Sequence, residues 1–167
     1  MNHLNHPYFG PLDTDELHGI IWEQSHTLNG ETFDVHLWGG NASDAEQHPS
    51  MLDAFAKFLQ DLPAIDVFAR QQLTHYLTED AYFIEFHAEG LTEGSDVMAQ
   101  LLADANGGNI SAAAFSAKMK LQNIGMWLDL PDAPIIMDYM MEPEKSDQIL
   151  AVKLTLDHQL ATIAWES

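Results

Sequence analysis

The chain has no cysteine. Disulfide scaffolds, thiol catalysis and cysteine-ligated zinc are therefore excluded, and a reducing compartment is permitted. It is also poor in basic residues: six Lys and Arg stand against 26 Asp and Glu, a formal net charge of −20 over 167 residues. No Lys or Arg precedes Lys57, and none lies between Arg70 and Lys118. Phosphate backbones are held by clustered Lys and Arg, so DNA or RNA is excluded as a ligand, and anionic membrane surfaces are disfavoured for the same reason. Long hydrophobic runs are missing too: stretches such as Ile124–Leu128 reach about five residues, whereas a membrane-spanning helix needs roughly 20. The first residues have neither a basic nor an apolar segment of the kind a signal peptide requires. The expected location is cytoplasmic.

What is present is a folding framework. Apolar residues make up 46% of the chain, with four Trp, eight Phe and four Tyr. That is too apolar and aromatic for a disordered acidic tail. The length suits a single α+β domain over residues 1–167. A surface on the order of 8,000 Å² would carry roughly one excess negative charge per 400 Å². Such a field attracts anything basic, although acidity alone also serves solubility.

Asn29-Gly30 between apolar-rich arms predicts a hairpin over 19–38, because a type I′ turn needs positive φ at both central positions. Phe33, Val35 and Leu37 alternate with Asp34, His36 and Trp38, the period of a half-buried strand. Helices are expected over 50–62 (Leu52, Phe55, Phe58 and Leu59 on one face), 63–78, 96–104 and 111–120. Residues 81–91 fit either state. As a helix, the preferred reading, Phe83, Phe86 and His87 share a face with Glu85 and Glu89 outside. Four strands are expected near 121–128, 134–141, 148–156 and 161–165. The architecture predicted is an antiparallel sheet, built from the N-terminal hairpin and a C-terminal meander, covered by the helical middle segment.

Candidate chemistry is sparse. His3 and His6 lie in a terminus expected to be mobile, and His75 with Glu79 supplies two ligands where zinc needs three or four. His87-Ala88-Glu89 matches half of a deaminase signature whose other half requires cysteines. His26 should oppose Phe33, with His26 and His36 both facing solvent. There is no phosphate-binding glycine loop and no nucleophile elbow. No catalytic, metal or cofactor site is expected, and the chain does not read as an enzyme.

Several segments carry a resemblance. These are His6-Pro7-Tyr8-Phe9-Gly10-Pro11-Leu12-Asp13, Ile84-Glu85-Phe86-His87 and Leu121-Gln122-Asn123-Ile124-Gly125-Met126-Trp127, followed by Asp138-Tyr139, Ile149-Leu150-Ala151-Val152-Lys153 and Ile163-Ala164-Trp165-Glu166. In this order they resemble a family of small acidic bacterial domains similar to immunity proteins of contact-dependent growth inhibition systems. The resemblance implies a cytoplasmic protein that neutralises the C-terminal toxin domain of a neighbouring exoprotein. A basic nuclease, in particular a ribonuclease, is the partner that the charge would suit. The motifs are short and hydrophobic and point to a fold more than to an activity.

Two places are expected to bind such a partner. One is the helical stretch with Glu79, Asp80, Glu85 and Glu89. The other is the C-terminal sheet edge and loop with Asp138, Glu142 and Glu144. Trp38, on the polar side of its strand, is an anchor candidate. The alternatives are a nucleic-acid mimic, which needs regularly spaced carboxylates, and an acidic binding domain of unrelated role. A charge-driven interface further requires that the acids be focused on one face.

Overall fold

A computed structural model describes residues 3–13, 19–39, 49–91, 94–130 and 132–167. Two short strands, β1 (His3–His6) and β2 (Gly10–Asp13), form an antiparallel hairpin. Its turn sends Phe9 into the core, edge-on to Trp22 at 4.9 Å, and Leu12 beside it is fully buried. The terminus expected to be mobile is therefore tied down over residues 3–13 by these two apolar anchors.

Strands β3 (Ile20–Leu28) and β4 (Glu31–Trp38) meet at Asn29 and Gly30, with φ of 53° and 83°. This is the primed turn that the Asn-Gly pair encodes. Among the described residues five helices follow: α1 (Pro49–Gln60), α2 (Leu62–Glu79), α3 (Tyr82–Leu91), α4 (Asp96–Asp104) and α5 (Ala112–Lys118). Pro63 stands in the first turn of α2, where its missing N–H costs nothing, and Ser95 and Ser111 cap α4 and α5 by accepting from Met98 N and Ala114 N. The chain ends in β5 (Lys120–Trp127), β6 (Ile135–Met140), β7 (Ile149–Leu154) and β8 (Leu160–Glu166).

The large sheet has six strands in the order β3-β4-β5-β6-β7-β8. The α+β layout is as expected, with one difference in the sheet: β4 and β5 run parallel. The helical segment between them is long enough to return the chain to the same end of the sheet, which a parallel pair requires. Every other adjacent pair is antiparallel.

Alternation then separates two faces. Val35, Leu37, Ile124, Met126, Met137, Tyr139, Leu150 and Val152 point into a core shared with Leu52, Phe55, Leu73, Phe83, Met98 and Phe115 of the helices. Their sequence neighbours point the other way. Among the described residues, no helix lies on that second face.

One polar cluster is built into the core. Asp66 on α2 is 2% exposed. It accepts from the Tyr139 hydroxyl at 2.6 Å and from Arg70 Nε at 3.1 Å. Arg70 also donates to the carbonyls of Ser116 and Met119 at 3.0 and 2.8 Å, and its guanidinium lies over the Tyr139 ring. The cluster joins α2 to β6 and to the end of α5, and every charge in it has a partner.

Candidate functional site

The α3 helix is short and faces two ways. Phe83, Ile84 and His87 are buried. His87 Nδ1–H donates to the Phe83 carbonyl at 2.7 Å, which leaves Nε2 to accept from the Ser146 hydroxyl at 2.9 Å. Burial pushes the imidazole pKa down, toward the neutral form, opposed by the Phe83 hydrogen bond and by Glu142. It fastens α3 to the loop between β6 and β7.

The opposite face carries Tyr82, Glu85, Phe86 and Glu89, at i, i+3, i+4 and i+7, all exposed. Tyr82 is 71% exposed and Phe86 48%. Trp165 on the edge strand β8, 37% exposed, packs edge-on against Phe83 at 5.1 Å and Phe86 at 6.1 Å. Its indole N–H donates to Gln148 at 2.6 Å, so the ring is oriented before any partner arrives. Asp80 caps the start of α3 by accepting from Tyr82 N, and Glu79 ends α2 beside it. Glu79, Glu85 and Glu89 form no ion pair among the described residues.

The acidic helical stretch expected from the sequence is thus brought together as one surface, with a correction. Phe86 does not share the buried face of Phe83 and His87; it turns out beside Glu85. The signal was the spacing Tyr82-Glu85-Phe86-Glu89, which places both aromatics on the charged stripe. Trp165 belongs to the same surface.

The second group is not brought together. Asp138 lies on β6, inside the sheet rather than at its edge, and is half-buried on the open face. Glu142 is half-buried, accepts a hydrogen bond from Ser95 at the cap of α4 and pairs with Lys145 at 3.7 Å. It fastens the β6–β7 loop to α4. Glu144 is exposed in that loop. Trp38 is not a free anchor: its ring stacks on Trp127 at 4.6 Å with 4° between planes. The parallel register pairs the two residues, and Gly125 leaves room, since a Cβ there would meet Trp127 Nε1 at 2.7 Å. His26 does oppose Phe33 but therefore faces the helix side, half-buried, with its pKa lowered by burial.

A cleft of about 490 Å³ lies between the β1–β2 turn and α1, where His6 Nε2 is 2.8 Å from Asp53. Lys57 shares it with Asp53 and Asp61, so it has no single sign of charge. Among the described residues, no group of three or more His, Asp or Glu could hold a metal ion, and no helix is long and apolar enough to cross a membrane.

The acids themselves are not confined to one side. Asp61, Asp96 and Asp104 decorate the helical layer, while Glu23, Asp34 and Glu166 lie on strands. What is local is the absence of basic residues from 71 to 117, the part of the chain that includes α3. Glu85 and Glu89 on α3 and Asp96 and Asp104 on α4 do not form one ladder, and Glu93 lies outside the described residues. No protein-family model, curated protein or solved structure matches the chain.

Proposed function

We propose that this chain is an immunity protein that binds a basic toxin domain, a nuclease of a contact-dependent growth inhibition system, and neutralises it by covering its active cleft. The observation that carries the reading is the α3–β8 surface: Tyr82 and Phe86, in a segment with no Lys or Arg, are exposed together with Trp165 of β8 and edged by Asp80, Glu85 and Glu89. Binding energy concentrates in a few aromatic anchors that become dehydrated, while surrounding charges set orientation and encounter rate. A standard footprint of about 800 Å² per partner would take in such a cluster and its rim. A nuclease cleft is basic because it must hold phosphates, so it offers the complementary field.

The test is co-expression with the toxin tip encoded by the upstream neighbouring reading frame. The full chain should restore growth and co-purify with the toxin domain. Phe86→Ala and Tyr82→Ala should each weaken the complex about 30- to 100-fold, a loss of roughly 2–3 kcal/mol. Glu85→Gln with Glu89→Gln should slow association several-fold at low salt and little at high salt. No rescue and no complex would overturn the assignment. A complex indifferent to Tyr82 and Phe86 would move the interface elsewhere.

A further inference from the structure

A hollow on the helical side combines an apolar floor with a carboxylate at its mouth. It measures about 150 Å³ and opens beside α3. Ile84 and Ala88 of α3, Leu102 of α4 and Ile110 of the loop after α4 form the floor. Ile84 and Ile110 are buried, and Ala88 and Leu102 are half-buried. Glu85 and Asn109 stand exposed at the rim. A water's share of liquid volume is about 30 Å³, so the hollow has room for a chain of about five heavy atoms.

Two independent sources make the mouth negative. The first is Glu85, which forms no ion pair among the described residues, in a stretch from 71 to 117 without Lys or Arg. The second is α4, whose C-terminal end reaches the hollow through Leu102 and the turn that follows. The carbonyl end of a helix carries a partial negative charge and is favourably met by Lys, Arg or His in the last turn. α4 has no basic residue there and ends on Asp104 instead. The N-terminal end of α3 opposes this field, but the chain already answers it: Asp80 accepts from Tyr82 N, and Glu85 lies in the first turn.

An apolar floor selects a hydrocarbon stem, and a negative rim selects a cation at its tip. Lysine and arginine join the two in one side chain, burying methylenes while the charged head stays in water. A leucine or phenylalanine would fill the floor and leave the rim unused, and a carboxylate would be repelled. Glu85 also connects the hollow to the exposed aromatics, since Tyr82, three residues before it, is its neighbour on the helix surface.

We infer that the hollow between α3 and α4 receives a long basic side chain, lysine or arginine, of the protein that docks on the α3 aromatics. The stem lies along Ala88, Leu102 and Ile110, and the head meets Glu85 and the carbonyl end of α4. The identity of that protein rests on the immunity reading. The preference of the hollow for a cation on an aliphatic stem does not. The contact adds discrimination to the aromatic anchors, because a partner with an acid at this place would set two like charges together.

The test uses the full chain, labelled for NMR, and four small probes: butylammonium, propylguanidinium, pentanol and pentanoate. The two cations should shift the backbone amides of Ala88, Leu102 and Ile110 and the side-chain amide of Asn109. Pentanol should bind about threefold more weakly or worse, and pentanoate not at all. Glu85→Gln should weaken the cations about threefold or more, while Asp61→Asn, ahead of α2, leaves them unchanged. Ala88→Leu fills the hollow and should abolish the shifts, with its thermal melt checking the fold. Equal binding of pentanol and butylammonium means a merely apolar hollow and overturns the inference. So do cation shifts as large around Asp61 and Glu144, which mean diffuse attraction, and cation binding that survives in folded Ala88→Leu. With the toxin domain, Ala88→Leu should weaken the complex about tenfold. A complex indifferent to both Ala88→Leu and Glu85→Gln overturns the inference and leaves the immunity reading standing. Cation-selective shifts at the hollow without any toxin complex uphold the inference and overturn that reading.

Discussion

The α3–β8 surface and the open face of the sheet use the same residue types in opposite arrangements. On α3 the aromatics Tyr82 and Phe86 are exposed in the middle and the acids Asp80, Glu85 and Glu89 are solvated around them. On the open sheet face the aromatics Trp38 and Trp127 cover each other, and the acid Asp138 is the half-buried centre. The difference bears on what each can contribute. Solvated carboxylates act at a distance, speed encounter and are screened by salt. A half-buried carboxylate acts only on contact and governs how long a partner stays. The net charge of −20 thus includes carboxylates of two kinds, solvated ones around exposed aromatics and a half-buried one on the sheet.

Both surfaces hang on the Asp66–Arg70–Tyr139 cluster, because Tyr139 and Asp138 are successive residues of β6 on opposite faces and α2 leads directly into α3. Asp66→Ala leaves the Arg70 charge and the Tyr139 hydroxyl without their acceptor. It should cost about 3 kcal/mol in urea denaturation, more than a substitution confined to either surface should cost. Both surfaces should be lost in one transition. Loss of the α3 surface alone, with the Trp38–Trp127 pair intact, would show that the two faces are not one cooperative unit.

That cluster also marks the limit of what could be read from the chain. The hairpin at Asn29-Gly30, the five helices and the meander were legible because each rests on local periodicity or turn chemistry. The parallel pairing of β4 with β5 was not, because it depends on where a long helical crossover lands. Asp66 was invisible as a buried acid: its helix position is polar by type, and only Tyr139, 73 residues on, makes it tolerable inside. The acids of α3 were found by their distance from any basic residue. The exposure of Phe86 and Trp165 was not legible, because aromatics usually pack inward. Nor could Trp38 be recognised as half-covered before Trp127 was known to lie beside it.

A smaller perturbation separates the faces. Gly125→Ala would place a Cβ 2.7 Å from the Trp127 indole and push that ring off Trp38. The side chain can move, so the cost should be about 1–2 kcal/mol rather than unfolding. The near-ultraviolet circular dichroism of the stacked pair should fall sharply. The exposed aromatics of α3, on the other side of the sheet, should be undisturbed, with the indole N–H signal of Trp165 unshifted. An unchanged dichroism band would mean that the stack does not depend on the missing Cβ.

Proton binding gives the mildest and most discriminating probe, because the two faces should respond in opposite directions. Burial lowers the pKa of His87 beneath α3 below the ordinary 6.5, so the folded state binds fewer protons there than the unfolded chain. Its contribution is complete above about pH 6.5 and is lost as pH falls below that value. Asp138 has the opposite sign. Burial, together with Glu166, raises its pKa from 3.8 to about 6 against the opposing effects of Asn123 and Lys153. The folded state therefore holds that proton more tightly than the unfolded chain, and stability falls as pH rises from about 4 through 6. After allowance for its partial exposure, Asp138→Asn should gain on the order of 1–2 kcal/mol at pH 7.5 and almost nothing at pH 4. His87→Gln should flatten the acid side of the profile, below about pH 6.5, and leave the Asp138 slope in place. Thermal unfolding from pH 4 to 8 measures both. If Asp138→Asn runs parallel to the parent chain across that range, burial on the open face does not raise the pKa of this carboxyl, and the contrast between the two faces fails.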